Sequence, residues 1–319
     1  MNRLDMRRRV EAATSTKLLE LYELVGNVTT VVHGVNWTLS IDDTSGTTYF
    51  VRLYRVGRSV DEVAAELSVL NAIASSAALD VARPKLDCLG RSFSEIELPD
   101  GSRRLLAVFQ QAVGRELADT LDDFRHAGLA LAHLHRQSQI SELAPAREIV
   151  SERLGLETIA MVEKRCSLVA DIFKDTLEQL GNRGANTGLG HIGFCHGDLR
   201  KENMRIDGER VTLFDFDDCG RGPQLFDVAA MAFWLETAGT ENAPQLWRAF
   251  LKGYGQASGE AIVQPVCWLV VNQQLRTLKF LFDYCELEPR LWDVALNDAA
   301  DLVKCAARFD LRVFRCTTA

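Results

Sequence analysis

From Phe194 to Ala229 the chain reads FCHGDLRKENMRIDGERVTLFDFDDCGRGPQLFDVA, and this stretch narrows the possible folds more than any other. Two short apolar runs flank Asp207-Gly208, a favourable two-residue turn signal, so the stretch predicts a β-hairpin. From Thr120 onward, helical patterns otherwise dominate: Phe124, Leu131 and Leu134 mark one helix, and residues 150–180 contain one or two more. A hairpin set within a helical half predicts an α+β fold.

The first hundred residues read mainly as strands. Residues 28–41 and 47–54 form an expected hairpin, with Asp42, Asp43, Ser45 and Gly46 supplying turn chemistry. Ser59 and Glu62 have capping-box spacing, and Val60, Val63, Leu67 and Leu70 follow at helical intervals. Residues 103–111 form another apolar strand, broken at Gly114. The layout is a small antiparallel β-rich lobe over 1–110, a connector near 110–114 and a larger, mostly helical lobe over 111–319. A ligand cleft between the lobes is the expectation.

Composition removes several function classes. No apolar run approaches the roughly 20 residues that span a bilayer, and the basic N-terminus (Arg7, Arg8, Arg9) is not followed by a signal-type apolar stretch. The expected compartment is the cytoplasm, with no membrane partner. Net charge is −8 with pI about 5.4, which argues against nucleic acid as a partner. The acidic excess falls in residues 111–319, with 30 acidic and 23 basic side chains, and would suit a cationic substrate. Eight cysteines stand apart without a C-x-x-C pair, so they are expected to be reduced and mostly buried. His133 and His135 lie two apart on a predicted helix and cannot chelate one ion together.

The chemistry concentrates in the opening stretch. Asp198 is followed five residues later by Asn203, and Asp215 stands at the end of the second hairpin strand. Paired strands lie only about 4.8 Å apart, so a hairpin brings its two ends together. Phosphoryl transfer needs a group to orient and accept a proton from the attacking hydroxyl, together with hard oxygen ligands for Mg²⁺. Asp198 can do the first, and Asn203 with Asp215 the second.

HGDLRKEN, then DFDD and GPQLFDVA, resembles the aminoglycoside-phosphotransferase/choline-kinase-like branch of the protein-kinase-like superfamily. The pattern is most similar to the bacterial stress-response-kinase and homoserine-kinase-like groups, and Gly197 marks the small-molecule version of the loop. The resemblance implies a two-lobe kinase-like fold, ATP and Mg²⁺ as cofactors, and a small-molecule hydroxyl acceptor. It makes Asp198 the base, Asn203 and Asp215 metal ligands, His196 a loop anchor, and Asp227 a buried tie from the loop to the following helix. Arg200 would face the transferred phosphate, and Asp217 or Asp218 would help position metal or substrate, or cap the loop.

In the N-terminal lobe the resemblance implies nucleotide contacts from Gly34 and Asn36 of the HGVNW loop and from Arg52 paired with Glu66. Backbone groups around Gln110 and Ala112 would meet adenine. Arg52 replaces the usual kinase lysine, which keeps the charge but changes the geometry. Trp37 reads equally as core. Asn272, Gln273 and Arg276 interrupt the apolar pattern of residues 266–284, in a region that lines the acceptor site in this family. The leading expectation is transfer of the ATP γ-phosphate to a hydroxyl of an aminoglycoside, amino alcohol, homoserine or sugar. The rivals are a bacterial Ser/Thr protein kinase and a non-catalytic pseudokinase; a monomer or homodimer is expected.

Overall fold

The computed structural model describes residues 3–255 and 260–315. Its chain divides into two compact units: residues up to Ala74 together with Val81–Val113, and Ser75–Asp80 together with everything from Gly114 onward. Sheet dominates the first unit and helix the second, which makes the fold α+β.

The first unit opens with a helix, α1 (Arg3–Tyr22), where strands were expected. Its buried side is one residue wide, Val10, Thr14, Leu18 and Tyr22, and a threonine in that stripe blurs the apolar period. Strands β1 (Gly26–His33) and β2 (Trp37–Asp43) divide the predicted first strand, because the chain reverses at Gly34–Asn36. β3 (Thr48–Leu53) completes the predicted hairpin across the Asp43–Thr47 turn. β1 carries an irregularity between Thr30 and Val32, where α1 meets the strand. There Glu11 accepts from the Thr30 N–H at 2.8 Å, and Arg7 donates to the Thr30 carbonyl at 2.7 Å.

Helix α2 (Val60–Ala72) starts after Ser59 as predicted, but the capping box does not form. The Ser59 side chain makes no cap bond, and Glu62 pairs instead with Arg58 at 3.5 Å. Val63, Leu67 and Leu70 are buried, whereas Val60 is exposed. After β4 (Leu79–Val81), which pairs in another sheet, come β5 (Pro84–Lys85), β6 (Ser94–Glu97) and β7 (Arg103–Gln110). The sheet runs β1-β2-β3-β7-β5 with β6 also on β7, all antiparallel. Its inner residues Leu39, Ile41, Val51, Leu53, Leu106 and Val108 form the core of this unit with α1.

The second unit continues with β8 (Arg115–Glu116) and α3 (Leu121–His135), whose first turn is capped by the Thr120 hydroxyl. Helices α4 (Glu152–Glu163) and α5 (Ser167–Asn182) follow. Next come β9 (Ile192–Cys195), the predicted hairpin β10 (Met204–Asp207) and β11 (Arg210–Leu213), and β12 (Gly220–Pro223). The register pairs Asp207 with Arg210, so Gly208 and Glu209 occupy the turn, one residue later than the sequence suggests. β4-β11-β10-β8 form one sheet and β12-β9 another. Helices α6 (Leu225–Thr237), α7 (Ala243–Tyr254), α8 (Val263–Tyr284) and α9 (Pro289–Ala307) complete the unit. α6 is buried along nearly its whole length, which accounts for its continuous apolar sequence.

Among the described residues no helix is long and apolar enough to cross a membrane. The described cysteines form no disulfide: Cys195, Cys219 and Cys267 are buried, Cys88 is exposed, and Cys166, Cys285 and Cys305 are half-buried, so burial is less general than expected. Cys316 lies outside the described residues.

Candidate active site

β9 delivers the chain into a tight loop, His196–Asn203, and the hairpin returns it at Phe214. The Phe214 N–H donates to the Asn203 carbonyl at 3.1 Å, so the two ends of the segment meet as the pairing of Met204 with Leu213 requires. The loop is anchored by Asp227 in the first turn of α6. Its carboxylate accepts from the His196 N–H at 2.7 Å and the Gly197 N–H at 2.9 Å, and it pairs with His135 Nε2 at 3.0 Å. His135 is held in turn by the Tyr254 hydroxyl at 2.9 Å. Burial pushes the Asp227 acid up. The His135 bond, the charges of His135 and His196 and the Gly197 N–H overcome it and hold the group below the usual aspartate range. His196 is fully buried, its Nε2 at 3.1 Å from the Phe214 carbonyl.

Gly197 is required by geometry. Its φ is +86°, and a Cβ there would lie 2.0 Å from the Asp218 carbonyl oxygen. Asp198 follows, half-buried, with both its carbonyl and Oδ2 accepting from Asn203 Nδ2 at 3.0 Å. Arg200 Nε lies 3.3 Å from Asp198 Oδ2, and its guanidinium rests over the Trp234 ring at 5.1 Å. Burial raises the Asp198 acid; Arg200 opposes it, Asp218 adds to it, His196 opposes it and Asp215 adds to it. Asp215 takes a left-handed backbone, φ +66° and ψ +58°, uncommon for a residue other than glycine. The structure thus brings Asp198, Arg200, Asn203 and Asp215 together.

The donor set fits Mg²⁺. Asn203 spends its N–H groups on Asp198, which leaves its carboxamide oxygen as the acceptor that a metal could use. Among the described residues no three His, Cys, Asp or Glu side chains form a closed metal cluster. One carboxylate and one amide oxygen suit an ion that completes its shell with phosphate oxygens and water.

Asp217 and Asp218 are held from outside the motif. Arg147 donates to the Asp217 carbonyl at 2.7 Å and to Asp218 Oδ1 at 3.2 Å, and Arg276 of α8 lies 4.0 Å from Asp218 Oδ2. Sequence reasoning missed Arg147, Trp234 and the His135–Tyr254 support; nothing local marks them, because each acts from a distant element. The one available signal was polar residues within apolar helices, which did single out Arg276.

In the first unit Arg52 stands on β3 between β2 and β7, so it is not on a sheet edge. It lies 3.7 Å from Glu66 of α2, which is buried and also accepts from the Tyr54 hydroxyl at 3.2 Å. The β1–β2 turn is closed by the Gly34 N–H donating to the Asn36 carbonyl at 3.1 Å, and Asn36 Oδ1 accepts from the Arg55 N–H at 2.8 Å. The Asn36 side chain therefore shapes this loop. Trp37 is core, its ring beside that of His33 at 3.8 Å. The Gln110 N–H is taken by the Arg83 carbonyl at 2.9 Å. Ala112 is half-buried just beyond the end of β7.

The model of the phosphotransferase enzyme family matches residues 35–261, and the chain belongs to that family. A relative from Deinococcus radiodurans, an uncharacterized protein, is 32% identical over 64% of this chain and 61% of its own length. The chain thus spans less than two thirds of that relative. Amicoumacin kinase of Bacillus subtilis is 23% identical over 72% of this chain and 70% of its own length. Among solved structures, amicoumacin kinase hAmiN in complex with AMP-PNP, Ca²⁺ and Ami matches at TM-score 0.71 and 21% identity, covering 97% of this chain and 96% of that one. A microcompartment-associated aminopropanol kinase matches at TM-score 0.70 and 18% identity, covering 95% and 99%. The fold is shared with these kinases, and the matched residues carry the domain of the phosphotransferase enzyme family.

Proposed function

We propose that this enzyme transfers the γ-phosphate of ATP to a hydroxyl of a small, amine-bearing molecule of the aminoglycoside, amino alcohol, homoserine or amino sugar type. The observation that carries the reading is the Asn203–Asp198 bond at 3.0 Å within a loop whose far end is closed by Phe214 onto Asn203. That bond fixes one carboxylate oxygen of Asp198 and turns the other toward an incoming hydroxyl, whose proton it accepts. Asn203, through its amide oxygen, and Asp215 would hold Mg²⁺. The ion neutralises charge between the phosphates when bound.

Arg200 would shift its guanidinium from Asp198 toward the transferred phosphate as charge spreads there. Arg52, backed by Glu66, would grip the nucleotide phosphates, with backbone from Gly34 to Asn36 beside them. The backbone around Gln110 and Ala112 would meet adenine. The similarity to an amicoumacin kinase and to an aminopropanol kinase supports a small-molecule acceptor, and the second of these an amine-bearing one. The acid excess of residues 111–319 points the same way.

The test is ADP release with Mg²⁺-ATP against amino alcohols, aminoglycosides, sugars and a generic protein. Turnover with one amine-bearing class is expected. Phosphorylation of the protein alone would overturn the acceptor class, and nucleotide binding without any turnover would overturn the reaction.

A further inference from the structure

Arg276 lies on α8, far along the chain from the loop that it touches, and only about an eighth of its side chain is exposed. Its Nη1 donates to the Ile149 carbonyl at 3.1 Å and its Nη2 to the Gly197 carbonyl at 3.4 Å. The same guanidinium stands 4.0 Å from Asp218 Oδ2 and 5.3 Å from the centre of the Phe226 ring. The Ile149 segment is itself strapped to the site. The Ile149 N–H donates to the Arg221 carbonyl at 3.0 Å, the Arg221 N–H to the Arg147 carbonyl at 3.0 Å, and Arg147 grips Asp217 and Asp218.

We propose that Arg276 is a positioning residue for phosphoryl transfer: by holding the Gly197 carbonyl it fixes the peptide plane that leads into Asp198, and so aims the base. The inference rests on the reading of Asp198 as that base.

Gly197 shows why an external hold is needed. Its left-handed conformation is one that glycine can leave easily, since glycine has the widest backbone freedom. The Asp227 carboxylate restrains the N–H side of this residue at 2.9 Å, and within the motif the following peptide is held only at its other end, where the Asp198 N–H donates to His196 Nδ1 at a long 3.3 Å. The Gly197 carbonyl belongs to that following peptide. Arg276 therefore adds, from outside the motif, a hold on the carbonyl end of that peptide. A guanidinium suits the task because its planar fork donates to two carbonyls on separate segments, where a lysine offers a point charge without a fixed plane. The charge is compensated by Asp218 and the face of Phe226. Asp218 thereby takes a supporting part, consistent with its being gripped by two arginines.

The experiment compares Arg276→Lys and Arg276→Met with wild type by amide hydrogen exchange, thermal melting and steady-state ADP release with Mg²⁺-ATP. In the positioning role, peptides covering His196–Asn203 exchange faster while those of α3 and α5 do not. A displaced base costs about tenfold or more in kcat, with the KM for ATP within about twofold of wild type. Arg276→Lys, which keeps the charge, should still lose most of the effect. Unchanged exchange in the loop of a folded variant overturns the inference. Faster exchange spread over the whole unit also overturns it, because that is the signature of plain destabilisation. Wild-type protein that releases no ADP with any acceptor would count against the phosphotransfer reading, while the exchange measurement continues to read the loop directly. If Arg276→Met does not fold, Arg276→Lys carries both readouts.

Discussion

Asp198 and Asp227 serve one loop from opposite electrostatic positions. Burial and the neighbouring Asp218 and Asp215 charges raise the Asp198 acid against the pull of Arg200 and His196, the setting of a group that can take up a proton. Asp198→Asn keeps the shape and the Asn203 contact but cannot accept a proton. It is expected to bind Mg²⁺-nucleotide as wild type does, by calorimetry, and to transfer phosphate about 10²–10⁴-fold more slowly in single turnover. Asp227 is buried, bonded to two N–H groups and His135, and held below the ordinary aspartate value. A depressed folded value means stability that is present above the unfolded value, near 4, and lost as pH falls through the folded one. Urea midpoints should therefore drop on acidification below about pH 4, and Asp227→Asn should flatten that acid limb. At neutral pH the same substitution should cost about 2–5 kcal/mol, because one carboxamide oxygen cannot serve all three donors. Asp198, Asn203, Asp215 and Asp227 are legible in sequence because their spacing is local. Arg147 is not, since it reaches the loop from a distant segment whose own pattern is ordinary, and Arg276 shows in sequence only as a polar break in an apolar helix.

Two glycines show how differently the loop and the hairpin depend on their backbones. Gly197 and Gly208 both have positive φ, +86° and +61°. A Cβ at Gly208 meets nothing within 4 Å, whereas one at Gly197 would overlap the Asp218 carbonyl. Gly208→Ala should cost only the left-handed penalty, about 1–2 kcal/mol, and leave activity intact. Gly197→Ala must displace either the loop or Asp218, so a clearly larger fall in melting temperature and loss of ADP release are expected. The hairpin is readable from its apolar alternation and turn residues, although the register moves the turn to Gly208-Glu209. α1 is not readable, because its buried stripe includes Thr14 and is only one residue per turn. The capping box fails for a similar reason: Arg58, close in sequence, competes for Glu62.

On the scale of the molecule, the α+β division follows from the change of period along the chain, but the path of the chain between units does not. If the nucleotide reading holds, Mg²⁺ with a non-hydrolysable ATP analogue should stabilise the whole protein. At a hundredfold excess over Kd the gain is about 2.7 kcal/mol, or a rise of about 4 °C in Tm for a chain of this length. Chelating the metal, or Asp215→Ala, should abolish the shift; an unchanged rise in the variant would remove Asp215 from the ligand set.

The brief excursion of residues 75–80 into the second unit bears on how this protein could be divided. The Val211 N–H donates to the Ala78 carbonyl at 2.9 Å, and β4 forms the margin of the sheet in which β11 is interior. A fragment beginning at residue 114 would therefore strip β11 of its cover and expose a row of backbone groups flanked by the buried Val211 and Leu213. Such a truncation is expected to self-associate, and a peptide spanning residues 75–81 supplied in trans should restore a monodisperse species in sedimentation. The second unit is thus completed by a thread borrowed from the first third of the sequence, and a single genetic cut cannot separate the two.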